Sequence, residues 1–255
     1  MGVSEWLRAA GARASSLPAG ARGSAAGRAA ALFAAVSKGR RAALWDAWGR
    51  RLARRGWPAW ALSLYRRATA LAPGNVRCWH HRAAAAIRAG RLEEAALCYR
   101  TLSRLEPANP RAHYRLAALY DVVGAPQAGV ETCRRALESN PRVPCLHRQL
   151  GRLLLRTGEV AGALRELRKA SELSPHHGDT HYYVGLALRQ AGRVADARQA
   201  LRHALTLCPD DPKLYYALGL CCSGEGEDVE PAHLLLRGME AEQLAAGLEP
   251  PAWPL

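Results

Sequence analysis

Three arginines spaced four residues apart form the pattern in this sequence that points most directly to chemistry. Arg148, Arg152 and Arg156 would lie in a row on one face of a helix, because side chains four residues apart project from the same side. A guanidinium group offers paired donors that match the two oxygens of a carboxylate. The row therefore predicts a surface that binds acidic groups.

No arrangement typical of an enzyme accompanies these arginines. A Gly-rich phosphate loop would follow a strand, and the sequence predicts no strand that could precede one. No serine or cysteine stands beside a base in a recognisable order, and the Cys and His residues lack the paired spacing of zinc ligands. We therefore expect no catalytic activity, no cofactor and no metal site.

Several features of the sequence recur every 34 residues. Five prolines keep this interval: Pro73, Pro107, Pro141, Pro175 and Pro209. A column of large residues keeps it too: Trp45, Trp79, His113, His147, His181 and Tyr215. Equal intervals of this kind indicate an internal repeat. We interpret the histidines of the column as packing residues, because aromatic residues fill the same position in other repeats.

Each repeat is expected to fold as two helices. In residues 144–175, Leu150 and Leu154 lie on one helical face, and Gly158 ends the first helix. A small residue such as Gly151 would let the two helices approach closely. One such hairpin cannot bury its apolar face alone, so neighbouring repeats must stack.

The spacing of these residues resembles the tetratricopeptide repeat (TPR) family. The first repeat carries the pattern Trp45, Trp48, Gly49, Leu52, Gly56, Ala61, Tyr65, Ala68 and Pro73. The resemblance implies an all-α fold over residues 42–247, a right-handed α-α superhelix of about six helix-turn-helix repeats. These would start near residues 42, 76, 110, 144, 178 and 212, and a capping helix would follow the last, degenerate repeat. Arg82 departs from the family, since it stands where an apolar residue is usual.

The two ends of the chain differ from the repeats. Residues 1–41 are rich in Ala, Gly and Arg and carry a net charge of +6, out of +14 for the whole chain. This segment is expected to be partly disordered. It could cap the first repeat, act as a transit peptide, or contact a membrane surface peripherally. Residues 248–255 form a Pro-rich tail. The seven cysteines show no disulfide spacing, which favours a cytoplasmic location, with organelle targeting or a membrane-peripheral location as the alternatives.

The family resemblance implies that the first helix of each repeat lines a concave groove. The residues assigned to this groove are Arg50, Arg54, Arg77, His80, Arg88, Arg111, Tyr114, Arg148, Arg152, Arg156, Tyr182, Arg189, Lys213 and Tyr216. Acids on these helices are few, namely Asp46, Asp121 and Asp179. The clamp for terminal carboxylates known in the family does not carry over, because Asp46 and Arg50 replace its Lys and Asn.

We therefore predict a non-catalytic scaffold whose basic groove binds an acidic, extended peptide of a partner protein. Two alternatives remain open. One is an accessory or substrate-docking subunit of a separately encoded enzyme, such as a glycosyltransferase, or of a secretion complex. The other is a self-associating, membrane-peripheral scaffold. Nucleic acid is not favoured as a partner, because no recognition motif is present. Reversing the charge of the Arg148, Arg152 and Arg156 row is expected to leave stability unchanged.

Overall fold

The computed structural model describes residues 25–222, 234, 236–238 and 242, with side chains from residue 38 onward. This part of the chain is helical and contains no strand, which confirms the all-α class. Eleven helices lie in residues 25–222: α1 (Ala25–Arg54), α2 (Pro58–Leu71), α3 (Val76–Arg88), α4 (Leu92–Leu105), α5 (Pro110–Val122), α6 (Pro126–Ser139), α7 (Pro144–Arg156), α8 (Val160–Leu173), α9 (Gly178–Gln190), α10 (Val194–Leu207) and α11 (Pro212–Cys222). None of the described helices combines the length and apolar character that a membrane span requires.

The helices belong to two compact units, unit 1 (Met1–Leu105) and unit 2 (Glu106–Leu255). In unit 1, α1 pairs with α2 and α3 pairs with α4, and α2 packs against α3. In unit 2, the pairs are α5 with α6, α7 with α8 and α9 with α10, and each second helix packs against the first helix of the next pair. Each unit is thus a stack of helical hairpins.

The hairpins follow the 34-residue period closely. Helices α3, α5, α7, α9 and α11 begin at residues 76, 110, 144, 178 and 212. The turn inside each hairpin contains a glycine with φ between 71° and 84°: Gly56, Gly90, Gly124, Gly158 and Gly192. A residue with a Cβ rarely adopts this left-handed conformation, so glycine is required where the first helix ends.

The boundary between the N-terminal segment and the first repeat is not visible as a break in the helix. The expected division between residues 41 and 42 falls inside α1, which runs without a break over 30 residues. Residues 1–24 and the Pro-rich tail lie outside the described residues. Of the predicted capping helix only residues 234, 236–238 and 242 are described, and these are helical.

Small residues on the first helix bring the two helices of a hairpin together. A Cβ placed on Gly151 would lie 2.5 Å from Cγ of Leu167, and one on Gly185 would lie 2.6 Å from Cγ of Leu201. Both leucines are buried on the second helix of the same hairpin. Glycine at this position therefore makes room for a buried leucine.

We expect Gly185→Leu to lower the free energy of unfolding by about 1–3 kcal/mol, because the new side chain would overpack against Leu201. Thermal melting followed by circular dichroism measures this loss. Gly74→Leu is the control, since a Cβ at Gly74 meets no atom within 4 Å. Equal melting temperatures for the two variants would contradict the assigned packing.

The column of large residues has a hydrogen-bonding role in addition to packing. In five of its six members, all except Trp45, the side chain donates to the backbone carbonyl of the proline six residues earlier. The donors are Nε1 of Trp79 (2.7 Å), Nε2 of His113 (3.1 Å), Nε2 of His147 (2.8 Å), Nε2 of His181 (2.7 Å) and the hydroxyl of Tyr215 (2.8 Å). A carbonyl can only accept, so Nε2 carries a proton in each histidine. Trp, His and Tyr can all occupy this position, because each is an aromatic side chain that carries a hydrogen-bond donor.

Candidate functional site

The fourteen residues assigned to the groove all lie on the first helices of hairpins, namely α1, α3, α5, α7, α9 and α11. Five of them belong to unit 1 and nine to unit 2. The two sets have different surroundings, because acids on neighbouring first helices contact several cations of unit 2.

In unit 1, three of the predicted arginines line one cavity of about 330 Å³. Arg50 and Arg54 reach it from α1, and Arg88 reaches it from α3. The remaining lining residues are Ala53, Tyr65, His81 and Ala84. No acid is among the residues that line this cavity. We call it the three-arginine pocket.

A buried carboxylate supports the pocket from behind. Asp46 is 5% exposed; its Oδ1 lies 2.6 Å from Nδ1 of His81, and its Oδ2 lies 3.3 Å from Nε of Arg50. Burial, together with the charge of Asp46, raises the pKa of Tyr65 to about 12. The Tyr65 hydroxyl therefore keeps its proton at neutral pH and remains a donor.

The two other predicted residues of unit 1 do not line the pocket. Arg77 is exposed in the first turn of α3. His80 lies edge-on to the ring of Tyr99 on α4, with ring centroids 6.4 Å apart. The structure therefore brings together three of the five residues predicted here.

In unit 2, the row of three arginines is partly engaged by an acid. Asp121 on α5 is 7% exposed and lies 3.0 Å from Nη2 of Arg152 and 3.3 Å from Nη1 of Arg156. Arg148 is half-buried, and its side chain has no ion pair within the described residues. Two members of the row therefore neutralise a buried carboxylate of the preceding hairpin.

A second set of ion pairs lies on α9 and α11. Nζ of Lys213 is 2.6 Å from Asp179 and 2.9 Å from Asp211, and it lies 5.3 Å from the centre of the Tyr182 ring. Burial lowers the pKa of Lys213, but the two carboxylates outweigh it and the net change is upward. The hydroxyl of Tyr216 donates to Glu242 at 3.1 Å. The side chains of Arg111, Tyr114 and Arg189 have no such partner in the described part of unit 2.

Unit 2 also contains a larger cleft that the sequence did not predict. It has a volume of about 680 Å³ and is lined by α6, α7 and α8. None of the fourteen predicted residues lines it. Its lining contains three acids and three Lys or Arg residues, so the cleft does not favour an anion over a cation. His147 forms part of this lining, and its Nδ1 lies 2.7 Å from Oε2 of Glu166.

The repeat pattern matches models of one known family. Residues 148–212 match a model described as tetratricopeptide repeat, and residues 85–121 match a second one described as TPR repeat. Residues 85–121 include all of α4 with parts of α3 and α5, and residues 148–212 include all of α8, α9 and α10 with part of α7. The chain therefore contains tetratricopeptide repeats.

Solved structures of TPR proteins are similar to this chain in fold. MamA from Desulfovibrio magneticus RS-1, solved from residue 41 to its end, has a TM-score of 0.58 and 21% identity, over 66% of this chain and 96% of that MamA chain. YrrB, described as a TPR protein with an unusual peptide-binding site, has a TM-score of 0.56 and 20% identity, over 68% of this chain and 89% of YrrB. The Cut9–Hcn1 hetero-tetramer of the APC/C matches with a TM-score of 0.62 and 18% identity, over 81% of this chain and 42% of that chain. No curated protein matches.

The TPR departure at Arg82 has a structural explanation. Its side chain donates to Glu94 from Nε at 2.9 Å and from Nη2 at 2.7 Å, and to the Thr69 hydroxyl from Nη1 at 3.0 Å. Arg66 also binds Glu94. The pKa of Glu94 is lowered to about 2, and the hydrogen bonds from Arg66 are the largest cause. Burial acts in the opposite direction and raises this pKa, while the hydrogen bonds from Arg82 lower it further. A polar cluster thus replaces apolar packing in this TPR repeat.

The cysteines of this TPR protein are free thiols, and five of the seven are buried. Burial raises the pKa of Cys98 to about 11 and that of Cys133 to about 12, which makes both thiols poor nucleophiles at neutral pH. Among the described residues, no group of three or more His, Cys, Asp or Glu is placed to hold a metal ion.

Proposed function

We propose that this TPR protein is a non-catalytic scaffold that binds an acidic, extended segment of a partner protein along its first helices. The observation that carries the proposal is the three-arginine pocket of unit 1. Three guanidinium groups from two successive hairpins line one cavity, and no acid is among the lining residues. Arginine binds carboxylates through charge-assisted, often paired hydrogen bonds, so this cavity suits an acidic side chain.

The pocket is better suited to the partner than the arginine row of α7. In the row, Arg152 and Arg156 already face Asp121, so a ligand carboxylate would compete with an existing ion pair. In the pocket, Arg54 and Arg88 are exposed and have no ion pair among the described residues. The first contact of an acidic segment would therefore be with α1 and α3.

The family supports the general part of this proposal. TPR proteins are generally non-catalytic scaffolds, and the similar structure of YrrB is that of a TPR protein with a peptide-binding site. The acidity of the partner segment follows only from the arginines of this chain. A partner that is an enzyme or part of a secretion complex would use the same surface.

The test is binding of a fluorescein-labelled acidic peptide with alternating Gly and Glu, measured by anisotropy. Arg54→Glu combined with Arg88→Glu should lower its affinity by at least about tenfold, since charged contacts contribute roughly 1.5–3 kcal/mol each. Raising the salt concentration should also weaken binding to the unmodified protein, because exposed charges are screened.

The matched control reverses two exposed arginines on the second helix of the same unit, Arg100→Glu with Arg104→Glu. This pair changes the net charge equally but lies outside the pocket lining. An equal loss of affinity in both double variants would show that net charge alone attracts the peptide, and the proposal would fail. Unchanged binding in the pocket variant would reject it as well.

A further inference from the structure

We infer that the three-arginine pocket receives a phosphorylated serine or threonine side chain of the partner segment. This inference rests on the proposed function and gives its partner a more specific chemistry. A phosphomonoester carries about two negative charges at neutral pH and three acceptor oxygens, whereas a carboxylate carries one charge and two oxygens.

The charges around the pocket match a dianion. Arg50, Arg54 and Arg88 line the cavity with three positive charges, and Asp46 behind it contributes one negative charge. The three guanidinium groups and this carboxylate together carry a net charge of +2. A single carboxylate would leave half of that charge unmatched, while a phosphate dianion would balance it.

The donors are also arranged for a group with several oxygens. Nε of Arg50 is buried 3.3 Å from Oδ2 of Asp46 and makes no hydrogen bond within the described part of the chain, so this guanidinium retains donor capacity at the cavity. His81 is held through Nδ1 by the same carboxylate, so the position of its ring is fixed at the cavity wall. Tyr65 also lines the cavity, and its phenol hydroxyl is a neutral donor.

The register of the arginines explains why the donors converge. Arg54 and Arg88 are 34 residues apart, so they occupy the same position on α1 and α3. Because α1 and α3 contact each other, equivalent positions on the two helices face the same cavity. Its volume of about 330 Å³ is at the lower end of known ligand pockets, roughly 300–1,000 Å³, and admits a side chain together with its phosphate.

The experiment compares three short peptides with blocked ends, acetyl-Gly-Gly-Xaa-Gly-Gly-amide, where Xaa is phosphoserine, glutamate or serine. Calorimetry at constant ionic strength measures their affinities for the full chain. We expect the phosphoserine peptide to bind about tenfold or more tightly than the glutamate peptide, because a second charge-assisted contact is gained. The serine peptide should not bind.

Variants then place the binding in the pocket. Arg54→Gln and Arg88→Gln should each remove the preference for phosphoserine, and Arg100→Gln, which deletes the same charge on α4, should retain it. Circular dichroism of each variant establishes that the helices are intact. Inorganic phosphate should displace the phosphoserine peptide from the unmodified protein. Retained preference in the Arg54→Gln and Arg88→Gln variants would overturn the inference.

The results separate this inference from the proposed function. If the glutamate and phosphoserine peptides bind equally and both depend on Arg54 and Arg88, the pocket binds acidic side chains without requiring phosphate. The inference then falls and the proposed function stands. If neither peptide binds at millimolar concentration, the inference falls, and the Gly-Glu peptide experiment decides the proposed function independently.

Discussion

Arg152→Glu combined with Arg156→Glu is expected to destabilise unit 2 by about 3 kcal/mol, because it leaves a buried carboxylate without its two counter-charges. Both arginines contact Asp121, which is 7% exposed. The double variant would surround this buried carboxylate with two further carboxylates. Chemical denaturation followed by circular dichroism measures the loss. The sequence predicted unchanged stability because the row lies outside the repeated packing positions, and the contacts of the row with Asp121 change that expectation.

Two further variants decide whether Asp121 is the cause. Adding Asp121→Asn to the double variant removes the buried charge and should recover part of the lost stability. Arg142→Glu with Arg168→Glu, a reversal at two exposed positions of unit 2, should change stability by only about 0.5 kcal/mol. A stable double variant, or no recovery with Asp121→Asn, would show that the ion pair contributes little.

Glu94→Gln is expected to destabilise unit 1 by about 3 kcal/mol at neutral pH, since one pKa unit corresponds to about 1.36 kcal/mol. The side chain of Glu94 is only 13% exposed, and the pKa of this carboxyl is about 2 rather than the usual 4.5. The variant removes the negative charge that Arg66 and Arg82 share. The Arg82 side chain is 15% exposed, so it would stay largely buried without its counter-charge.

The effect of Glu94 should depend on pH in a defined direction. A carboxyl whose pKa is depressed in the folded state stabilises the protein fully above its unfolded pKa, and this contribution is lost as pH falls through the folded pKa. The difference in unfolding free energy between the unmodified protein and Glu94→Gln should thus be constant above about pH 5 and shrink between about pH 4.5 and 2. Glu131→Gln is the control, because Glu131 is 69% exposed in its pair with Arg135. A difference that does not change with pH would rule out a depressed pKa.

The fold followed from the sequence because its determinants are local and repeated. The turn glycines with positive φ, such as Gly158, and the prolines that precede the first helices keep a fixed spacing. Local backbone preferences of this kind act within a few residues, so they can be recognised without a structure. The same holds for Gly151, whose small size is needed wherever a buried leucine of the second helix approaches.

The candidate site followed from the sequence only in part. The 34-residue register of the sequence was enough to assign all fourteen predicted residues to first helices. It could not show which of the cations form an ion pair with an acid on another helix. The contact of Arg152 with Asp121 spans two hairpins, and so does the contact of His81 with Asp46. Such pairs depend on the packing of separate helices, which spacing along the chain does not encode.

By itself, the sequence determined the helical hairpin, its 34-residue period and the presence of tetratricopeptide repeats. These depend on backbone conformation and on side-chain size at fixed intervals, which are properties of short segments. The tertiary structure alone decided where the positive charge stays available. Arg54 and Arg88 have no counter-ion among the described residues, whereas Arg152, Arg156 and Lys213 have one. The physical reason is that the Coulomb energy of a charge depends on the distance to its neighbours in space, and stacking of the hairpins sets that distance.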